Sequence, residues 1–227
     1  MRVRGEPRSS FLTTPDGKVP PRKPDAPVIK RDPRADISEF GSDAGRNDNP
    51  EARGLPERCL FMPTTAGAVM RPVLYNNNYQ IVQGKDSVAI WIEMIHDIRT
   101  VRIGAKHNPG SEQIRPWLGD SIGWYEGDTL VVETTNFPRS QGFQGSWENL
   151  KVTERFRRVA EDRVLYQFTV EDPTVRDKPW GGEYEFGALG GAVYEYACHE
   201  GNYSMLNMLA GSREAERKEA AAKRQSR

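Results

Sequence analysis

A chain of 227 residues, 37% of them apolar, holds enough for one good-sized core and leaves part of its length outside it. Lys and Arg number 32 and Asp and Glu 32, so the net charge is zero and there is no overall positive field for nucleic acid or an anionic membrane surface. No stretch approaches the ~20 consecutive apolar residues of a membrane span, and neither nucleic acid nor a membrane span is expected as a partner.

Residues 1–56 are rich in Pro, Gly, Arg and Asp, and fragments such as PDGKVPPRKPDAP are turn and polyproline material. They predict an extended or disordered arm, with Phe11-Leu12 and the stretch 37–40 available to anchor it as a strap. MRVRGEPRSS has basic residues but no apolar run after them, so no signal peptide is read and the default location is the cytoplasm.

From residue 58 strand signals arrive at short intervals. Stretches 73–75 and 79–83 flank Asn76-Asn77-Asn78, three amides that suit either a turn satisfying its own backbone or donors to a ligand. A turn at 84–87 leads into 88–94, where Val88, Ile90, Ile92 and Met94 share one face and Ala89, Trp91 and Glu93 the other. A strand with bulky groups on both faces suits coverage on both sides or the wall of a cavity. Stretch 99–103 follows, and 104–116 is a polar loop carrying His107. The plainest local signal is WLGDSIGWYEGDTLVVETTNF at 117–137, two strands about Glu126-Gly127-Asp128.

A Gly-rich loop, SQGFQGSWEN, precedes a second hairpin of 150–159 with 164–171, and 180–186 with 193–198 predicts a third across Gly190-Gly191. From about Tyr203 the pattern turns helical, with Met205, Leu206, Met208 and Leu209 able to dock and a charged, Ala-rich tail after them. The expected fold is all-β: an antiparallel meander closing into a lipocalin-like barrel over 57–211, with a C-terminal helix and a charged tail at 212–227. A β-sandwich is the alternative.

Three histidines bear on chemistry, His96, His107 and His199. His96-Asp97 and Cys198-His199-Glu200 both fall at element ends, where a barrel places its mouth. Together with Glu93 these residues form a candidate acid–base group, set against the plainer reading of histidines capping strands. No H-E-x-x-H spacing occurs, so neither a metal nor a cofactor is expected. Trp91, Trp124, Tyr75, Asn77 and Arg99 are the candidate ligand contacts, with core packing the simpler role for most of the aromatic side chains. Cys59 and Cys198 show no metal spacing and suit one disulfide or two reduced thiols; the bond would be worth on the order of 4 kcal/mol by loop entropy.

The motifs ERC at 57–59, PVLYNNNYQIVQ at 72–83, EMIHDIRTVRI at 93–103, the 117–137 hairpin, ENLKVTERFRRV at 148–159, FTVEDPT at 168–174 and YEYACHEGNY at 194–203 occur in this order. Together they resemble a large family of uncharacterised bacterial proteins, over most of 57–211. The resemblance implies no reaction. It implies export to the periplasm, from which this chain departs by beginning without a signal peptide, and export favours the Cys59–Cys198 disulfide.

Three functions are compatible with these features: a barrel binding a small hydrophobic or aromatic molecule, a cofactor-independent isomerase, lyase or hydrolase working through His and carboxylate, and a protein-interaction module using the arm and tail. No P-loop, G-x-G-x-x-G or G-x-S-x-G sits between a strand and a helix, which argues against nucleotide-driven and α/β-hydrolase chemistry.

Overall fold

The computed structural model describes residues 2–28, 47–62, 67–71, 75–108 and 114–225. Two short N-terminal strands, β1 (Arg2–Val3) and β2 (Glu6–Pro7), pair with each other. The main sheet has eight strands: β3 (Tyr79–Gln83), β4 (Ser87–Ile92), β5 (Ile98–Ile103), β6 (Asp120–Glu126), β7 (Thr129–Thr135), β8 (Lys151–Ala160), β9 (Arg163–Glu171) and β10 (Trp180–Gly187). One helix, α1 (Tyr203–Gln225), follows. The strands lie in sequence order from β3 to β10 and curl into a half-barrel, so the all-β meander with a C-terminal helix is the fold. Every neighbouring pair is antiparallel except β5 and β6, which run parallel because the loop after Ile103 carries the chain back across the sheet.

Alternation sets the curl. Val88, Ile90 and Ile92 of β4, Leu130, Val132 and Thr134 of β7, and Val152, Glu154 and Phe156 of β8 are buried on the concave side. Gly123 shares that face because a Cβ there would meet a Val101 methyl at 2.7 Å. Gly127, at φ +61°, takes the first of the two turn positions between β6 and β7, the left-handed conformation that glycine adopts without cost.

The concavity is filled by the chain that precedes the sheet. Leu55, Phe61, Ala68, Val69 and Met70 are buried in the same core as the strand residues. Beneath them lies a polar centre. Arg99 of β5 and Glu154 of β8, 2% and 0% exposed, form a two-point ion pair with Nη1–Oε2 at 2.6 Å and Nη2–Oε1 at 3.2 Å. The Tyr166 hydroxyl donates to Glu154 at 2.7 Å and accepts from the Met70 amide at 3.0 Å. Burial lowers the Arg99 pKa, but Glu154 more than offsets this and holds it above its ordinary value. The Tyr166 phenol is pushed well up by burial and by the Glu154 charge.

The expected hairpin partner of β10 at 193–198 does not form. That side of β10 is taken by the N-terminal arm: Leu12 bridges Gly182, the Glu183 amide donates to the Phe11 carbonyl at 2.8 Å, and Thr13 donates to Gly181 at 3.0 Å. Phe11 packs on Phe168 and Tyr184, so this part of the arm is a strap. The other proposed anchor, 37–40, and most of the expected strand at 73–75 lie outside the described residues.

Cys59 and Cys198 form a disulfide across 139 residues. Near it Asn202 caps α1, its side-chain oxygen accepting the Met205 amide at 3.3 Å while its Nδ2 donates to the Glu57 carbonyl at 2.8 Å. Met205, Met208 and Leu209 are half-buried, and Arg213 donates to the carbonyls of Asp48 and Asn47. The helix runs unbroken to Gln225, its outer turns carrying i,i+4 pairs such as Glu214 with Lys218. Among the described residues no helix is long and apolar enough to cross a membrane.

Breaking the central pair from one side leaves a buried charge uncompensated, at a cost of about 3–5 kcal/mol. Glu154→Leu should lower the unfolding free energy measured in urea by that amount, and adding Arg99→Met should restore most of the loss. A double variant as unstable as the single one would show that the packing, and not the stranded guanidinium, carries the cost.

Candidate functional site

At one end of the half-barrel lies a groove of about 490 Å³, with Met70 of the filling chain in its lining. Its floor is Met70, Ile81, Leu130, Phe156, Val164 and Phe186, and its rim includes Asn77, Gln83, Tyr125, Asp128 and Arg158. Three features position it: the inward residues of β3, the β6–β7 and β8–β9 turns, and the end of β10. Across the interior, Tyr79 of β3 and Phe186 of β10 meet edge to face at 5.5 Å, joining the two ends of the sheet through side chains.

Polar groups on the rim are already oriented. Gln83 Nε2 donates to the Tyr125 hydroxyl at 2.7 Å, and Arg158 is tied back to the carbonyls of Ala160 and Glu161. The floor rests on the ion pair, because Arg99 Nη2 also reaches Met70 Sδ at 3.4 Å. Burial pushes the Tyr79 phenol up to about 12, against the opposing pull of Arg99 and with the Glu154 charge adding to it. Tyr184 is raised further by burial, and its buried hydroxyl has no hydrogen-bond partner among the described residues.

Of the candidate ligand contacts, Asn77 lines this groove. Arg99 lies under it, committed to Glu154. Trp91 and Trp124 are placed differently from the expectation: both lie on the convex face, opposite in parity to Ile90 and Gly123, and Trp124 Nε1 donates to Glu126 at 2.9 Å. Tyr75 is 55% exposed and is not a lining residue. The neighbour of Trp124, Tyr125, is the one that faces the groove. Tyr125, Phe156 and Phe186 were legible as strand residues but not as one wall, because only the curl of the sheet brings β6, β8 and β10 together.

The candidate acid–base residues divide. Glu93 is buried and accepts from Asn78 Nδ2 at 2.6 Å, so one of the three asparagines ties down a carboxylate. His96 is exposed, and its Nδ1 lies 3.4 Å from the Tyr196 carbonyl, which puts the 93–97 corner beside the segment leading to Cys198. Ile95 and His96 both take positive φ, +58° and +49°, strained for a β-branched residue followed by another non-glycine. Asp97 Oδ2 is buried without a hydrogen bond among the described residues, and burial pushes its carboxyl up to about 6, against the pull of His96. His199 and Glu200 are exposed, and neither lines the groove nor the second cavity, of about 450 Å³, formed beside Cys198 by Glu57, Tyr196 and Met208.

His107, read from the sequence only as a loop residue, is the most connected of the three histidines. Its ring nitrogens reach Asp120 Oδ2 at 2.9 Å and Glu133 Oε1 at 3.2 Å, while Arg102 holds the other Asp120 oxygen at 2.7 Å. Burial would raise the Asp120 pKa, but hydrogen bonds from His107, Asn108 and Arg102 outweigh it and keep the carboxyl below its usual range. This network staples the β5–β6 crossover to the sheet, which its spacing of 13 residues from His107 to Asp120 does not announce. Among the described residues no group of three His, Cys, Asp or Glu side chains is placed to hold a metal ion.

Because the Asp97 carboxyl is raised in the folded chain above its unfolded value, its ionisation opposes folding. Its contribution is most favourable below the unfolded pKa of about 4 and is lost as pH rises to about 6. The stability of the protein relative to Asp97→Ala should therefore fall between these pH values and level off above them, measured by urea unfolding across the range. A difference independent of pH would mean that Asp97 titrates normally. No family model, curated protein or solved structure matches this chain.

Proposed function

We propose that the protein binds a small hydrophobic or aromatic molecule in the groove at the open end of the half-barrel. The observation that carries this reading is the groove itself, about 490 Å³ with an apolar, aromatic floor and a few oriented polar groups on its rim. Sites for small organic ligands combine these features, the floor supplying affinity through desolvation and the rim supplying orientation. A flat ligand would lie against Phe156, Phe186 and Ile81 and direct a polar end toward Asn77 or the Gln83–Tyr125 pair. No cofactor is part of this reading. An exported, periplasmic location goes with it, supported by the disulfide and by the bacterial family that the motifs resemble.

A second reading, acid–base chemistry at His96 and Asp97, is favoured by one observation, the Asp97 carboxyl raised to about 6 beside an exposed imidazole. Neither cavity is lined by these two residues, which makes it the weaker of the two.

Anilinonaphthalene sulfonate and related apolar fluorophores should bind the folded protein saturably. Ala188→Trp, at an exposed lining position, should fill the groove and weaken that binding at least about tenfold while leaving the thermal midpoint unchanged. His96→Ala should leave the binding as it is. Binding that survives Ala188→Trp would remove the groove as the site.

A further inference from the structure

The two edges of the sheet are treated differently. The β10 edge is covered by residues 11–13 of the arm, whereas among the described residues β3 pairs with β4 alone. Strand β3, YQIVQ, has no charge, no proline and no bulge, the features by which natural edges usually avoid pairing with another strand. Ile81 is 36% and Val82 51% exposed. Beside Val82 on the convex face, half-buried Trp91 and Ile98, which is 60% exposed, extend the apolar surface away from the edge.

The direction of the edge groups follows from the ladder. Gly84 donates to the Ser87 carbonyl at 2.8 Å and Glu93 to Asn78 at 3.0 Å, so positions 84 and 78 face β4. Bonded and non-bonded pairs alternate in an antiparallel ladder, which gives Gln80 and Val82 to β4 as well. The N–H and C=O of Ile81 and Gln83 then point outward from the edge.

We infer that β3 is a self-pairing edge that joins two copies of this chain antiparallel about a two-fold axis at Ile81. In that register Ile81 faces Ile81 of the second copy as a hydrogen-bonded pair, each amide donating to the other carbonyl. Gln83 falls opposite Tyr79 and Gln80 opposite Val82. Lys85 falls opposite Asn77, so no like charges meet across the axis. A two-fold contact needs a self-complementary patch, and an uncharged strand centred on an outward-facing residue supplies one. The apolar residues Val82, Trp91 and Ile98 flank the join on the convex side of each copy. This inference rests on the outward backbone groups of β3; Ile81 and Gln83 also line the groove through their side chains, whereas Gln80 and Val82 do not, so the charged variants at 80 and 82 test the pairing apart from the ligand reading.

Sedimentation velocity or light scattering across the micromolar range should give twice the chain mass, with dissociation on dilution. Ile81→Pro removes an outward amide that β4 does not use, so the thermal midpoint should hold while the dimer weakens roughly tenfold or more. The double variant Gln80→Lys with Val82→Lys places like charges opposite each other and should be monomeric. Gln80→Glu with Val82→Lys places opposite charges there and should restore the dimer. A wild-type protein that is monomeric throughout, a dimer indifferent to Ile81→Pro, or equal behaviour of the two charged pairs would overturn the inference.

Discussion

The ion pair between Arg99 and Glu154 is the constraint on which the rest of the fold depends. An arginine in the middle of β5 and a glutamate in the middle of β8 are each costly to bury alone, and the curl of the sheet is what lets them meet. Tyr166 and the Met70 amide complete the bonding, so the polar centre is tied to the sheet and to the chain that fills its concavity. The pair and Tyr166 thus hold Met70, and Met70 is part of the floor of the groove.

Closure of the half-barrel is achieved by unlike means at its two sides. At β10 the N-terminal arm pairs along the edge through a bridge at Leu12 and inserts Phe11 among the aromatic side chains of the core. Nothing comparable covers β3 among the described residues, and contact with the far side is made by the rings of Tyr79 and Phe186. A barrel closed by hydrogen bonds would have no such edge. The unsatisfied edge is thus a consequence of the incomplete closure.

What the sequence made legible was local. The β6–β7 hairpin, the β8–β9 hairpin and the helix from Tyr203 follow from turn residues and periodicity, which depend only on near neighbours. Pairing with distant chain did not follow. The partner of β10 proved to be Leu12 and not the stretch after Gly190, because an edge takes whichever extended segment packs best and spacing does not encode that. At the site, a single step of parity separated Trp124 from Tyr125: the β6–β7 hairpin showed the alternation, but which face was concave depended on Gly123 accommodating Val101. Arg99 reads from the sequence as a candidate ligand contact, whereas the structure commits it to Glu154, 55 residues away. The link between Cys59 and Cys198 was one of two readings the cysteines allowed, the other being two reduced thiols, and it was favoured by the export that the resemblance implies.

The central claim is that the working surface of this chain is the groove above Met70 and not the polar corners at His96 and His199. The most direct measurement is a map of amide chemical-shift changes on titration with anilinonaphthalene sulfonate. The account predicts saturable changes confined to Asn77, Ile81, Gln83, Tyr125, Phe156 and Phe186. Changes centred instead on Trp91 and Trp124 of the convex face, or on the 93–97 corner and the residues after Cys198, would contradict it.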